Sequence, residues 1–138
     1  MVEFAVVAPL LLLLLLLIGE LGRAFFQYNT LAKSVRDGAR YLAGRAPGTL
    51  NVMVLTEGIR NDTVNMVVYG MPSGGNEALL PGLTAADISI DVIDSNILRV
   101  VADYQFSPAV VQALPGFGYG EDTPLTFTLT ASTTMRML

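Results

Sequence analysis

Residues 2–43 read VEFAVVAPLLLLLLLLIGELGRAFFQYNTLAKSVRDGARYLA, and this stretch decides the architecture. From Phe4 to Gly19 it carries no charge; it includes eight consecutive leucines, Leu10 to Leu17, and is bracketed by Glu3 and Glu20. Continued to Gly22 the run is 19 residues long. At about 1.5 Å per residue that is roughly 28 Å of helix, close to a bilayer core of about 30 Å. A cleaved secretory signal would need a basic n-region and a small-residue cleavage site. MVEF has no basic residue, and the run passes straight into more helix. A buried core helix should be shorter and less uniformly leucine. The run therefore reads as a membrane-spanning helix. Pro9 is its one helix breaker, expected to kink or loosen it because the missing N–H and the ring disturb the preceding turn.

Beyond the run the pattern turns amphipathic. Leu21, Ala24, Tyr28, Leu31, Val35, Gly38 and Leu42 recur in steps of three and four, a heptad seam over three repeats. Arg23, Gln27, Lys33, Arg36, Asp37 and Arg40 fall on the opposite face. Gly44 and Pro47-Gly48 stop the helix. The expectation is one helix of about 43 residues, roughly 65 Å long. Its seam packs on the chain's own globular part from about Tyr28 onward, a role compatible with contacts to other copies or partner helices.

Outside this helix the chain is ordinary. Of its 138 residues 52% are hydrophobic and 14% charged, with net charge −4 and mean hydropathy +0.54. Without residues 4–22 the remainder is an acidic domain of ordinary size. There is no histidine and no cysteine. That removes Ser-His-Asp and Cys-His nucleophilic sites, zinc fingers, HExxH zincins, thiol redox chemistry and disulfide staples. No residue set points to a cofactor, a metal or an enzyme.

The second region, 47–138, reads as an α+β head after the helical region 1–46. Thr49 to Tyr69 is expected to form a helix capped by Thr49, with Val52, Leu55, Ile59, Met66 and Val67 near helical spacing. Gly58 and Arg60-Asn61-Asp62-Thr63 weaken its middle, and the sequon there carries little weight. Gly70 to Gly82 is a loop, and Thr84-Ala85-Ala86-Asp87 a short cap or turn. Ile88 to Ile93 and Ile97 to Phe106 form a hairpin around Asp94-Ser95-Asn96. Ser107 to Asp122 is a connection that exposes Phe117 and Tyr119. Pro124 to Met137 is the clearest strand, with Leu125, Phe127, Leu129 and Ala131 alternating with four hydroxyl residues. Three antiparallel strands can hide one face against a helix.

Asp87, Asp91, Asp94 and Asp103 cluster about the hairpin. A calcium site needs more converging oxygens, so a solvated edge is the preferred reading. The Gly74-Gly75 pair lacks the Lys-Ser/Thr and preceding strand of a phosphate loop. Basic residues beside a span argue against nucleic acid.

Charge also bears on topology. Up to Ala46 there are five basic and three acidic residues; after it, three basic and nine acidic. Counted alone, the basic cluster after the span points to the cytoplasm; a basic leader removed by processing would reverse that.

The quoted stretch resembles the TadE-like pseudopilins of tight-adherence pilus systems. The telling positions are Glu3-Phe4, Pro9 within the leucine run, Glu20, Gly22-Arg23, Tyr28 and Arg36-Asp37-Gly38-Ala39-Arg40-Tyr41. NMVVYGMPSGG, LLPGLTAADISI and TLTASTTMRM also look familial. The resemblance implies a type IV pilin-like fold and a bacterial precursor whose leader a prepilin peptidase removes. It implies storage in inner-membrane lipid with the head outside the cytoplasm, and packing with other pilin subunits in a filament. Glu3 matches the family's early glutamate, which faces a neighbour's α-amino group and usually falls fifth after cleavage; here it is third. A carboxylate in hydrocarbon is costly and seeks a cation.

The leading expectation is thus a minor pilin or pseudopilin, with Glu3, Phe4, Pro9 and Glu20 as assembly residues and the seam as its packing stripe. Two alternatives use the same features. One is the principal filament pilin. The other is a membrane-tethered extracytoplasmic adhesion module that binds through loops carrying Met71, Pro72, Phe117 and Tyr119.

Overall fold

A computed structural model describes residues 2–45, 55–94, 97–116 and 118–136. The described chain is α+β: a long apolar helix, a second helix and a three-stranded antiparallel sheet, a pilin-like architecture. Helix α1 spans Val2–Arg45, α2 Glu57–Tyr69, and a 3-10 turn Ala85–Asp87. The strands are β1 (Ile88–Asp94), β2 (Ile97–Phe106), β3 (Ala113–Leu114), β4 (Thr123–Pro124) and β5 (Phe127–Arg136). The main sheet has the order β1-β2-β5, and β3 pairs with β4.

Helix α1 continues through Pro9 without interruption. The Pro9 ring removes the N–H that would reach the Ala5 carbonyl, so this turn carries one hydrogen bond fewer while the turns on either side continue the helix.

The chain divides into two compact units, a division that differs from the split at Ala46 drawn from the sequence. One comprises residues 1–27 with 106–127, the other 28–105 with 128–138. In the second, Leu31, Val35, Ala39 and Leu42 of α1 join Val67 and Val68 of α2 and Ile88, Ile90, Leu98, Val100, Ala102 and Ala131 of the sheet in one core. Gly38 lets α1 and α2 approach closely there: a Cβ on it would press on Cγ2 of the stiff, fully buried Val67, which would have to shift. Beside this contact Tyr41 donates to Asp62 Oδ2 at 3.1 Å, and the Arg45 guanidinium lies 5.3 Å from the Tyr41 ring centre. Burial and the Asp62 carboxylate push the Tyr41 phenol above its usual range.

Helix α2 starts at Glu57, later than the sequence suggests; Thr56 precedes it in extended conformation, and Thr49 and Val52 lie outside the described residues. Gly70 ends it in the left-handed region (φ 78°), and its N–H reaches Met66 O at 3.1 Å. Asp87 Oδ2 accepts from the Thr84 N–H and hydroxyl, both at 2.8 Å, which sets the turn into β1.

β1 and β2 pair antiparallel from Ile88↔Ala102 to Asp94↔Ile97, with a register shift between Val92 and Asp94. Ser95 and Asn96 lie outside the described residues. β5 is shorter than Pro124–Met137, because Thr123 and Pro124 pair with β3 instead. Its hydroxyl face is exposed, and Thr128 and Thr130 donate to Gln105 Oε1 and Asp103 Oδ1 at 3.0 and 2.6 Å. Asp87 and Asp103 thus already serve as acceptors within the chain.

Candidate functional site

None of residues 3–19 is buried; all but three, the half-buried Ala8, Leu13 and Leu17, are exposed. Glu3 lies in the first turn, and Phe4 and Pro9 stand open beside it. An 18-residue window of this helix has mean hydropathy 2.7 and is 6% buried, so the helix is long and apolar enough to cross a membrane. A continuous apolar surface of this kind needs an apolar surrounding, lipid or protein.

Where this surface ends, α1 meets an irregular strap. Glu20 is only 8% exposed. Its Oε1 accepts the backbone N–H groups of Ala109 at 3.0 Å and Val110 at 2.7 Å. Its Oε2 takes Arg23 Nε at 3.2 Å and Nη2 at 3.1 Å. Arg23 Nη2 also donates to the Ser107 carbonyl at 2.6 Å, and the guanidinium lies 5.2 Å from the Phe106 ring centre. One carboxylate and one guanidinium thus satisfy three backbone groups of Ser107–Val110, and Pro108 contributes no N–H to satisfy. Both oxygens of Glu20 are engaged within its own chain.

Leu17, Glu20, Leu21 and Ala24 line a cleft of about 220 Å³ with Phe106, Pro108, Leu125 and Phe127. The Phe106 and Phe127 rings stand 5.0 Å apart at one wall. β3 and β4 close the connecting segment, and Leu125 N–H reaches Gln112 O at 3.0 Å. The connection read from Ser107 to Asp122 thus carries β3, which pairs with β4 just beyond its end.

The seam residues divide. Ala24, Leu31, Val35, Gly38 and Leu42 are buried, while Leu21 and Tyr28 are exposed. Glu20 and Gln27 occupy the inward positions instead. Gln27, assigned by its polarity to the outer face, is only 6% exposed, and its Oε1 has no hydrogen-bond partner among the described residues. The spacing Leu13, Leu17, Glu20, Ala24, Gln27 is as regular as the one starting at Leu21. Polarity hid it, because a buried Glu and Gln are counted as surface residues until their partners are known. Arg23, three residues after Glu20, was the one legible partner. Ser107, Ala109 and Val110 carry no side-chain signal, since they act through the backbone.

Of the loop residues, Met71 is exposed and Pro72 half-buried, its carbonyl accepting Asn65 Nδ2 at 3.1 Å. Tyr119 is 99% exposed; Phe117 lies outside the described residues. Among the described residues no group of three or more Asp or Glu side chains is placed to hold a metal ion.

Residues 1–40 match the family model described as TadE-like protein. No curated protein and no solved structure matches the chain. The matched segment contains Glu3, Phe4, Pro9, Glu20 and Arg23 and ends between Gly38 and Leu42 of the seam.

Proposed function

From this TadE-like N-terminal segment, joined to a pilin-like α+β architecture, we infer that the chain is a minor pilin or pseudopilin of a tight-adherence pilus. It is a structural subunit, and its chemistry is packing. The observation that carries this reading is the matched helix itself, with no buried residue between 3 and 19. That apolar surface is suited first to bilayer lipid and then to the helices of other subunits. The two surroundings are nearly equal in polarity, so transfer between them costs little hydrophobic energy and is decided by packing and charge pairing.

Glu3 supplies the charge. At the start of the apolar run it stabilises a neighbouring cation, such as another subunit's α-amino group, far more in hydrocarbon than in water. That makes it a register mark for assembly. The head stands outside the cytoplasm, and a prepilin peptidase acts on the precursor. Partner choice falls to the head, whose exposed Met71 and Tyr119 offer contact points.

The test is Glu3→Ala in cells that make the pilus. The chain should still fractionate with the inner membrane while assembled pili, sheared and quantified, fall sharply. Unchanged pilus yield with normal membrane retention would sink the register role. If pili persist without the chain altogether but adhesion is lost, the adhesion-module reading gains.

A further inference from the structure

We propose that the Ser107–Val110 strap is a membrane-interface element, resting at the headgroup/acyl boundary of the bilayer that α1 crosses, with lipid as its partner. The inference rests on α1 being a membrane span. It starts from depth. The strap is pinned by direct hydrogen bonds to Glu20 and Arg23. Glu20 lies in the last turn of the apolar run 4–22, so irregular backbone sits beside the end of the span.

Such backbone is tolerated near hydrocarbon only where its polar groups are satisfied by protein. Three of the strap's backbone groups are met in this way: the Ala109 and Val110 N–H groups go to Glu20 and the Ser107 carbonyl to Arg23, while Pro108 has no donor to satisfy; at headgroup depth the other strap groups remain within reach of interfacial water. The same bonds neutralise Glu20, so it is not a polar stop in the run. Apolar exposure continues past it, at Leu21, Phe25 and Phe26 on the helix and at Val110 on the strap, which is 64% exposed. From Phe106 to Phe127 the only charged residues are Glu121 and Asp122, and Asp122 Oδ1 accepts the Gly116 N–H at 2.9 Å. In water these exposed apolar groups are unfavourable in proportion to their area. At the membrane interface, where amphipathic elements sit about 5–10 Å into the headgroup/acyl boundary, that cost falls with the area covered.

The absence of cysteine gives a clean test. Single variants Val110→Cys, Leu12→Cys and Ser73→Cys of the full chain would carry an environment-sensitive fluorophore in phosphatidylethanolamine/phosphatidylglycerol vesicles. The expected result is a blue-shifted Val110 probe, quenched by lipids with a nitroxide near the headgroup and shielded from aqueous iodide. The Leu12 probe should be quenched by deep nitroxides, and the Ser73 probe by iodide. A Val110 probe that behaves like Ser73 while Leu12 stays in lipid overturns the strap inference and leaves the span standing. If Leu12 is also quenched by iodide, the span reading fails and the strap inference with it. A second arm adds Glu20→Ala: shielding at Val110 should be lost with Leu12 unchanged, and full retention would contradict the role given to Glu20.

Discussion

Replacing Glu20 by alanine should release the strap locally and leave the rest of the fold in place. The carboxylate makes two kinds of contact, and their magnitudes differ. Its bond to Arg23 is a part-exposed i,i+3 ion pair, worth about 0–1 kcal/mol. Its Oε1 is the acceptor for two backbone N–H groups, at 3.0 and 2.7 Å. Each donor left unsatisfied costs about 1–3 kcal/mol, toward the lower end for part-buried groups. The sum for the strap is therefore about 2–4 kcal/mol, dominated by the amides. At 1.4 kcal/mol per factor of ten, the open state should become roughly 30- to 1,000-fold more populated. Amide hydrogen exchange on the detergent-solubilised chain reads this directly, since protection reports the free energy of local opening. Ala109 and Val110 should lose that much protection, while Val67 and Val100 keep theirs. Glu20→Gln retains an acceptor for the amides and should lose about tenfold or less, consistent with a weak ion pair. Equal losses in the two variants would show that charge outweighs the acceptor. Unchanged protection in Glu20→Ala would refute the reasoning altogether.

Gly38→Ala should destabilise the α1–α2 contact by about 1 kcal/mol, the balance of about 1–3 for overpacking against Val67 and about 1 gained in helix propensity; denaturant titration measures it. Leu42→Ala removes a fully buried core side chain and should cost about 2–5 kcal/mol, whereas Leu12→Ala, at an exposed position, should leave the unfolding midpoint of the head unchanged. Stability of the wild-type chain should fall in alkali. The Tyr41 phenol is raised in the fold, so its contribution is complete below the unfolded value of about 10 and is lost as pH rises toward the folded one. In Tyr41→Phe that part of the pH dependence should vanish from a pH series of urea midpoints.

The long helix, the hairpin and the final strand were legible in the sequence because each is written as periodicity: an unbroken apolar run, then steps of three and four, then alternation. The start of α2 was not. Its first turns carry Gly58 and polar residues, so the boundary depends on tertiary contact more than on pattern. The inward phase of the helix near Glu20 was not legible either. A glutamate and a glutamine face inward there, and the glutamate does so because backbone amides almost ninety positions away meet it. Hydrogen bonds to main chain leave no mark in side-chain identity, so Ser107–Val110 read as mere connection. The family resemblance had picked out Glu20 without saying what it holds.

The central claim is that the TadE-like helix works as an assembly element and does more than tether the head. Its most direct test exchanges residues 4–19 for an unrelated membrane span of equal length, in the pilus-forming cell, and measures surface pili alongside inner-membrane retention of the chain. The account predicts normal retention with pili lost or strongly reduced. Normal pili on the exchanged span would contradict it, for the helix would then be only an anchor.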